Sequence, residues 1–145
     1  LLDQVIAYAP DICLVEPLIE DMTRGVRVSD TEIDYVYQRL LAAGILPVTL
    51  LLPNPVRRVP DGWPEYKRYL AVCQSLGLPV IRVDLTGVEG IEDKFNGIHT
   101  HLEGARIYAA EVARGLARVV PAVGRPGRVL RLGHAVLLSA SRAAR

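Results

Sequence analysis

The 145-residue sequence predicts a mixed α/β domain built on a parallel sheet. Two observations carry that expectation. Short apolar runs rich in β-branched residues recur at ICLVE (12–16), from Leu46 in LPVTLLL, and at PVIRVDL (79–85), as in strands buried on both faces. Segments with helical apolar spacing alternate with them, and strand–helix alternation argues for parallel strands joined by right-handed crossovers. Half of the residues are hydrophobic, which suffices for one core at this length.

Residues 2–9 (LDQVIAYA) read as the end of a helix that Pro10 and Asp11 break. ICLVE follows as the first strand, and a polar loop runs through Arg24, Gly25 and Arg27. SDTEIDYVYQRLLAAG (29–44) reads as a helix because Ser29 and Glu32 make a capping box. Its apolar face is Ile33, Val36, Leu40 and Ala43, with Gly44 as the stop. The second strand begins at Leu46 and ends at Pro53. The Pro-rich loop at 53–63 leads to a helix opened by Asp61 and Pro64. Tyr66, Tyr69, Leu70, Cys73 and Leu76 are its expected apolar face, and Gly77 and Pro79 end it. After the third strand, residues 86–98 read as loop. The last helix starts after His99, with a stripe of Ala105, Tyr108 or Ala109, Val112, Leu116 and Val119, and Pro121 as its stop. Loops 16–26, 53–63 and 86–99 fall at the carboxyl ends of the strands, where such sheets bind ligands.

Charge is divided along the chain. Residues 1–110 hold 10 of the 17 Lys and Arg but 15 of the 16 Asp and Glu, so the body is acidic and the tail basic. The overall charge of +1 gives no case for nucleic acid. Cys13 and Cys73 fall in a strand and a helix and are expected as buried free thiols. No run reaches the roughly 18 apolar residues of a transmembrane helix, and no signal-peptide pattern opens the chain. Leu rather than Met at position 1 makes a piece of a longer protein the expectation.

FNGIHTHLEG (95–104) is the stretch with most chemical content. Thr100 with Glu103 reads as a capping box, which would place His99 just outside the helix on a loop at the sheet's carboxyl edge. The positive end of the helix dipole disfavours an imidazolium there, and a neutral imidazole is what a general base requires. His101 is expected to face solvent. No Cys, Asp or third His stands at ligand spacing, so no metal is expected, nor any other cofactor. No glycine-rich phosphate loop follows a strand, which disfavours a nucleotide-binding fragment.

Residues 96–116 (NGIHTHLEGARIYAAEVARGL) resemble the last block of the SGNH, or GDSL-type, hydrolases, in which Asp-x-x-His opens the final helix and a Gly follows the His by five residues. His99 and Gly104 keep that interval. Val83–Leu85 resembles the family's last strand, Leu52–Pro55 the loop after its fourth strand, and residues 9–25 its third strand with the block after it. The resemblance spans residues 1–120 and implies the C-terminal part of a flavodoxin-like three-layer α/β/α sandwich with a parallel sheet. Residues 121–145 are then a basic Arg/Ala-rich tail, expected as a disordered or poorly packed extension.

The resemblance implies a serine esterase acting on small-molecule acyl esters, with His99 activating a serine nucleophile. Three positions depart from the family pattern. No Gly-Asp-Ser-like block is present, so the nucleophile is expected outside this chain. Glu20 stands where an oxyanion-hole Asn belongs, and losing one such donor costs about a hundred- to a thousandfold in rate. Asn96 stands where the triad Asp belongs, an exchange that costs about ten-thousandfold in a well-studied triad. A backbone carbonyl or Asp93 is the alternative partner for His99. In the Pro-rich loop, Arg57, Arg58 and Trp63 are candidates for an acidic or sugar-bearing substrate, against a solvated turn. The alternative function is a catalytically inactive domain of the same fold that binds a ligand or partner. The missing nucleophile strand would lie beside ICLVE, leaving an apolar edge that needs an N-terminal segment or self-association to cover it.

Overall fold

The computed structural model describes residues 1–17, 28–52, 66–85, 88, 90, 95–96, 99–123 and 132–137. The elements run α1 (Leu2–Tyr8), β1 (Ile12–Pro17), α2 (Asp30–Ala42), β2 (Leu46–Leu51), α3 (Tyr66–Leu76), β3 (Val80–Arg82), β4 (Phe95–Asn96), β5 (His99–Thr100), α4 (Leu102–Val123) and β6 (Leu132–Leu137). Helix α1 ends where Ala9 turns left-handed (φ 49°) and Pro10 follows. At α2 the capping box forms as the sequence predicts: the Glu32 N–H donates to Ser29 Oγ at 3.2 Å, and the Ser29 N–H donates to Glu32 Oε2 at 2.7 Å. Gly44 carries φ +73° after α2, a conformation that suits glycine.

The main sheet has the order β3-β2-β1-β6, and every neighbouring pair is parallel. Side chains of β1 alternate between two cores. Cys13 and Val15 pack with Val5 of α1, Ile33, Tyr37 and Leu40 of α2, and Tyr69 and Cys73 of α3. Ile12 and Leu14 pack on the other face with Val48, Leu50, Ile81, Val83 and Leu85, beneath Ile107, Tyr108, Val112, Leu116 and Val119 of α4. Helices therefore cover both faces of a parallel sheet. Both cysteines are buried, and neither belongs to a disulfide.

Three hydrogen-bonding side chains cross the first core. Tyr37 Oη lies 2.5 Å from Thr49 Oγ1, and Thr49 Oγ1 lies 3.0 Å from Cys73 Sγ. Thr49 is fully buried, so its hydroxyl satisfies two groups that water does not reach. Thr49→Val keeps the shape and leaves the phenol and the thiol without it. The expected loss is about 1–3 kcal/mol in urea unfolding, with a smaller loss for Tyr37→Phe because Thr49 keeps Cys73. Equal losses for the two variants would contradict this account.

The structure departs from several sequence expectations. The tail does not run on as a wholly unstructured extension: Leu132–Leu137 forms β6, which pairs with β1 from Ile12↔Leu132 through Pro17↔Leu137. The edge of β1 presents a row of unpaired backbone groups, and a short apolar stretch that meets that row satisfies it. The chain's own tail thus covers the edge, and self-association or an added N-terminal segment is not required for that purpose. Pro121 does not stop α4, which continues to Val123. So near the helix end, the missing N–H removes one backbone bond from the final turn. Within residues 86–98, read as loop, Phe95–Asn96 forms one half of a two-stranded antiparallel ladder. On α2 the buried face uses Tyr37, with Ala43 exposed. On α4, Ile107 and Tyr108 pack on the core, and Ala105 is exposed. No helix among the described residues is long and apolar enough to cross a membrane.

Candidate functional site

The chain lays down β1, β2 and β3 in one direction across the sheet, then places β6 on the opposite side of β1. Helices α2 and α3 cover one face and α4 the other, so the winding reverses between β1 and β6. Ligands in open α/β sheets bind beyond the carboxyl ends of the strands at such a reversal. Glu16, the penultimate residue of β1, stands there in register with Val136 of β6. It is half-buried at the end of a run that is otherwise fully buried.

Two tyrosines share the surroundings of Glu16. Tyr66, the first residue of α3, donates its hydroxyl proton to the Leu52 carbonyl at 2.8 Å, just past the end of β2. Tyr108 reaches the sheet from α4 as part of the second core. Burial raises the pKa of both phenols, and the negative charge of Glu16 raises them further. Tyr108 is pushed up to about 12, and Tyr66 is raised more. Both phenols stay neutral across the ordinary pH range. A carboxylate beside neutral phenols suits a polar ligand that both donates and accepts hydrogen bonds.

The same burial makes stability fall at high pH. Tyr37 is raised mainly by desolvation, and so is the Cys73 thiol. In each case the folded pKa exceeds the unfolded one, so the stabilisation is complete below the unfolded value and is lost as pH rises toward the folded one. The thiol reference is about 8.5 and the phenol reference about 10. The melting temperature is expected to hold up to about pH 8.5 and then to drop, most steeply above about pH 10. A flat melting profile up to pH 11 would contradict this.

Asn96 and His99 are direct register partners in the β4–β5 ladder, which leads into α4. The resemblance pairs these two positions chemically, and the backbone here sets them opposite each other. The helix cap falls one residue later than predicted. The His101 carbonyl accepts from Ala105 N–H at 2.9 Å, so His101 rather than Thr100 is the N-cap. Thr100 belongs to β5, which spends it on strand pairing. His101 is exposed, and Gly104 is buried in the first turn of α4. Glu20, Arg57, Arg58, Trp63 and Asp93 lie outside the described residues. Ser29 Oγ belongs to the capping box and Ser75 Oγ donates to the Val72 carbonyl at 2.8 Å, while Ser139 and Ser141 lie outside the described residues. Among the described residues, no three His, Cys, Asp or Glu gather as a metal site would need.

Sequence reasoning did not single out Glu16, Tyr66 or Tyr108 as a group. The available signal was the lone charge that closes the apolar run ICLVE. The tyrosines read as core stripe because helical period alone does not tell which strand end a stripe overlies. No protein-family model, curated protein or solved structure matches the chain.

Proposed function

We propose that this chain is the base-bearing part of an SGNH-type ester hydrolase. His99 acts as general base toward a serine supplied by a segment outside these residues, and the substrate is a small acyl ester. The observation that supports this reading is the Asn96↔His99 pairing directly before α4, after the third strand of a parallel sheet. An Asn at position 96 is neutral and offers an imidazole no ion pair, which lowers the expected rate relative to an Asp. Glu20 and the loop residues Arg57, Arg58 and Trp63 belong to this proposal as the altered oxyanion position and the substrate loop.

A second reading is favoured by one observation. β6 occupies the sheet position beside β1, where the resemblance places the nucleophile strand. On this reading the domain is inactive and binds a ligand at Glu16, Tyr66 and Tyr108. The test is to recover the coding sequence upstream of Leu1, express the extended protein, and assay it and the 145-residue chain on short acyl esters. The hydrolase reading expects turnover from the extended protein and none from the shorter chain. An upstream region without a Gly-Asp-Ser-like block, together with no turnover, sinks it and leaves the binding reading.

A further inference from the structure

We propose that Asn96 is a self-modifying position: its side-chain amide is lost by intramolecular deamidation, which leaves a carboxylate-bearing residue on β4 at the register position of His99. Asn96 is followed in the sequence by Gly97. Glycine has no side chain to crowd its backbone nitrogen, so that nitrogen reaches the side chain of a preceding asparagine more readily than any other residue's does. The chain has two asparagines, and the other, Asn54, is followed by Pro55. A proline nitrogen carries no hydrogen to give up, so Asn54 has no such route.

The place of Asn96 in the fold favours the reaction. Asn96 is the last residue of β4, so its link to the next residue lies at the end of the strand. The β4–β5 ladder consists of two register pairs, Phe95↔Thr100 and Asn96↔His99. So short a two-stranded ribbon is marginal by itself in water and opens at little cost. Opening releases the Asn96 backbone from its extended conformation, which the cyclic intermediate does not share.

The step balances without any reagent but water. The Gly97 nitrogen gives up its proton to water or hydroxide and attacks Cγ of Asn96. A C–N bond forms to close a cyclic imide, and the Cγ–NH2 bond breaks to release ammonia. Water then opens the ring. Opening at Cγ gives Asp in the original backbone, and opening at the former main-chain carbonyl gives isoaspartate, which lengthens the main chain by one atom. Only the Asp product keeps the spacing of the ladder, and it is ionised at neutral pH because an ordinary Asp titrates at about 3.9. The consequence for activity rests on the hydrolase reading: on that reading an Asp at 96 offers the imidazole the ion pair that Asn lacks, and the protein matures from a slow form to a faster one.

The test has two arms. In the first, the 145-residue chain is incubated at mildly acidic and at mildly alkaline pH, then cut with trypsin, and the peptide of residues 95–106 is weighed against an unincubated control. That peptide is expected to exchange NH2 for OH, faster at alkaline pH, with an equal amount of ammonia released. Asn96→Gln should abolish the exchange, because its ring would need one more atom, and Gly97→Ala should slow it several-fold. Far-UV circular dichroism checks that both variants stay folded. An Asn96 that stays intact in the folded chain under conditions that convert the free 95–106 peptide overturns the proposal, and so does an exchange that Asn96→Gln leaves unchanged.

In the second arm, kcat/KM on a short acyl ester is compared for the upstream-extended protein when fresh, when aged and as Asn96→Asp. A gain of up to about ten-thousandfold is expected for Asn96→Asp, with a partial gain on ageing. The gain should vanish when His99→Ala is added, which a merely structural effect would not do. Turnover that ageing and Asn96→Asp leave unchanged overturns the role given to the new carboxylate. Conversion of Asn96 with no turnover in any form upholds the modification and sinks the hydrolase reading alone.

Discussion

Removing residues 124–145 is expected to convert the folded protein into an associating, weakly stable chain. The truncation deletes β6, and β6 pairs with β1 at six successive register positions. Without it, Ile12–Pro17 presents a bare edge on a strand that is buried along nearly its whole length. The loss should reach at least about 3 kcal/mol, or roughly 10 °C in melting temperature, and light scattering should show oligomers. The interpretation depends on comparing the truncated and full chains at one concentration, because association itself shifts apparent stability. A truncated chain that melts with the full one as a monomer would mean that β6 contributes nothing to the sheet.

Gly115 is the second position where a small change should have a large effect. A Cβ there meets Ile81 Cγ2 at 2.5 Å, Cγ1 at 2.9 Å and Cδ1 at 3.0 Å. Two of these atoms sit on the branch of the Ile81 side chain, and Ile81 is itself buried at 4 % exposure, so the neighbour has little room to withdraw. Replacing glycine inside a helix would ordinarily gain about 1 kcal/mol from propensity. Overpacking of this kind costs about 1–3 kcal/mol, so Gly115→Ala should be neutral to destabilising and Gly115→Val clearly destabilising. Shortening the neighbour should relieve the strain: Ile81→Ala combined with Gly115→Val is expected to cost less than the sum of the single changes. Strict additivity in chemical unfolding would show that the helix and strand adjust without touching.

The parts of the fold legible in the sequence are those fixed by local rules. The capping box at Ser29 and Glu32 is a four-residue device, and it forms at the predicted place. ICLVE and the run from Leu46 are continuous and apolar because both of their faces are covered, and both become central strands. Elements whose existence depends on distant partners were not legible. β6 contains Gly133 and His134 and lies between arginines, so its sequence alone reads as tail, and only the open edge of β1 makes it a strand. Tyr37 is buried through its hydroxyl contact with Thr49 on another element, which the spacing of apolar residues on α2 cannot reveal. The Glu16–Tyr66–Tyr108 group joins a strand and two helices, and nothing short-range in the sequence links them. For the candidate site, the start of the last helix just after His99 was legible, while the position of its cap depended on the β4–β5 ladder that claims Thr100.

The pairing of Asn96 with His99 gives the functional account its sharpest consequence. The most direct measurement is kcat/KM on a short acyl ester for the upstream-extended protein and for its His99→Ala variant, with circular dichroism confirming equal folding. If His99 is the general base, the variant loses about a hundred- to ten-thousandfold. If the extended protein hydrolyses the ester and the variant keeps the same kcat/KM, His99 is not the base and the hydrolase account of this chain is wrong.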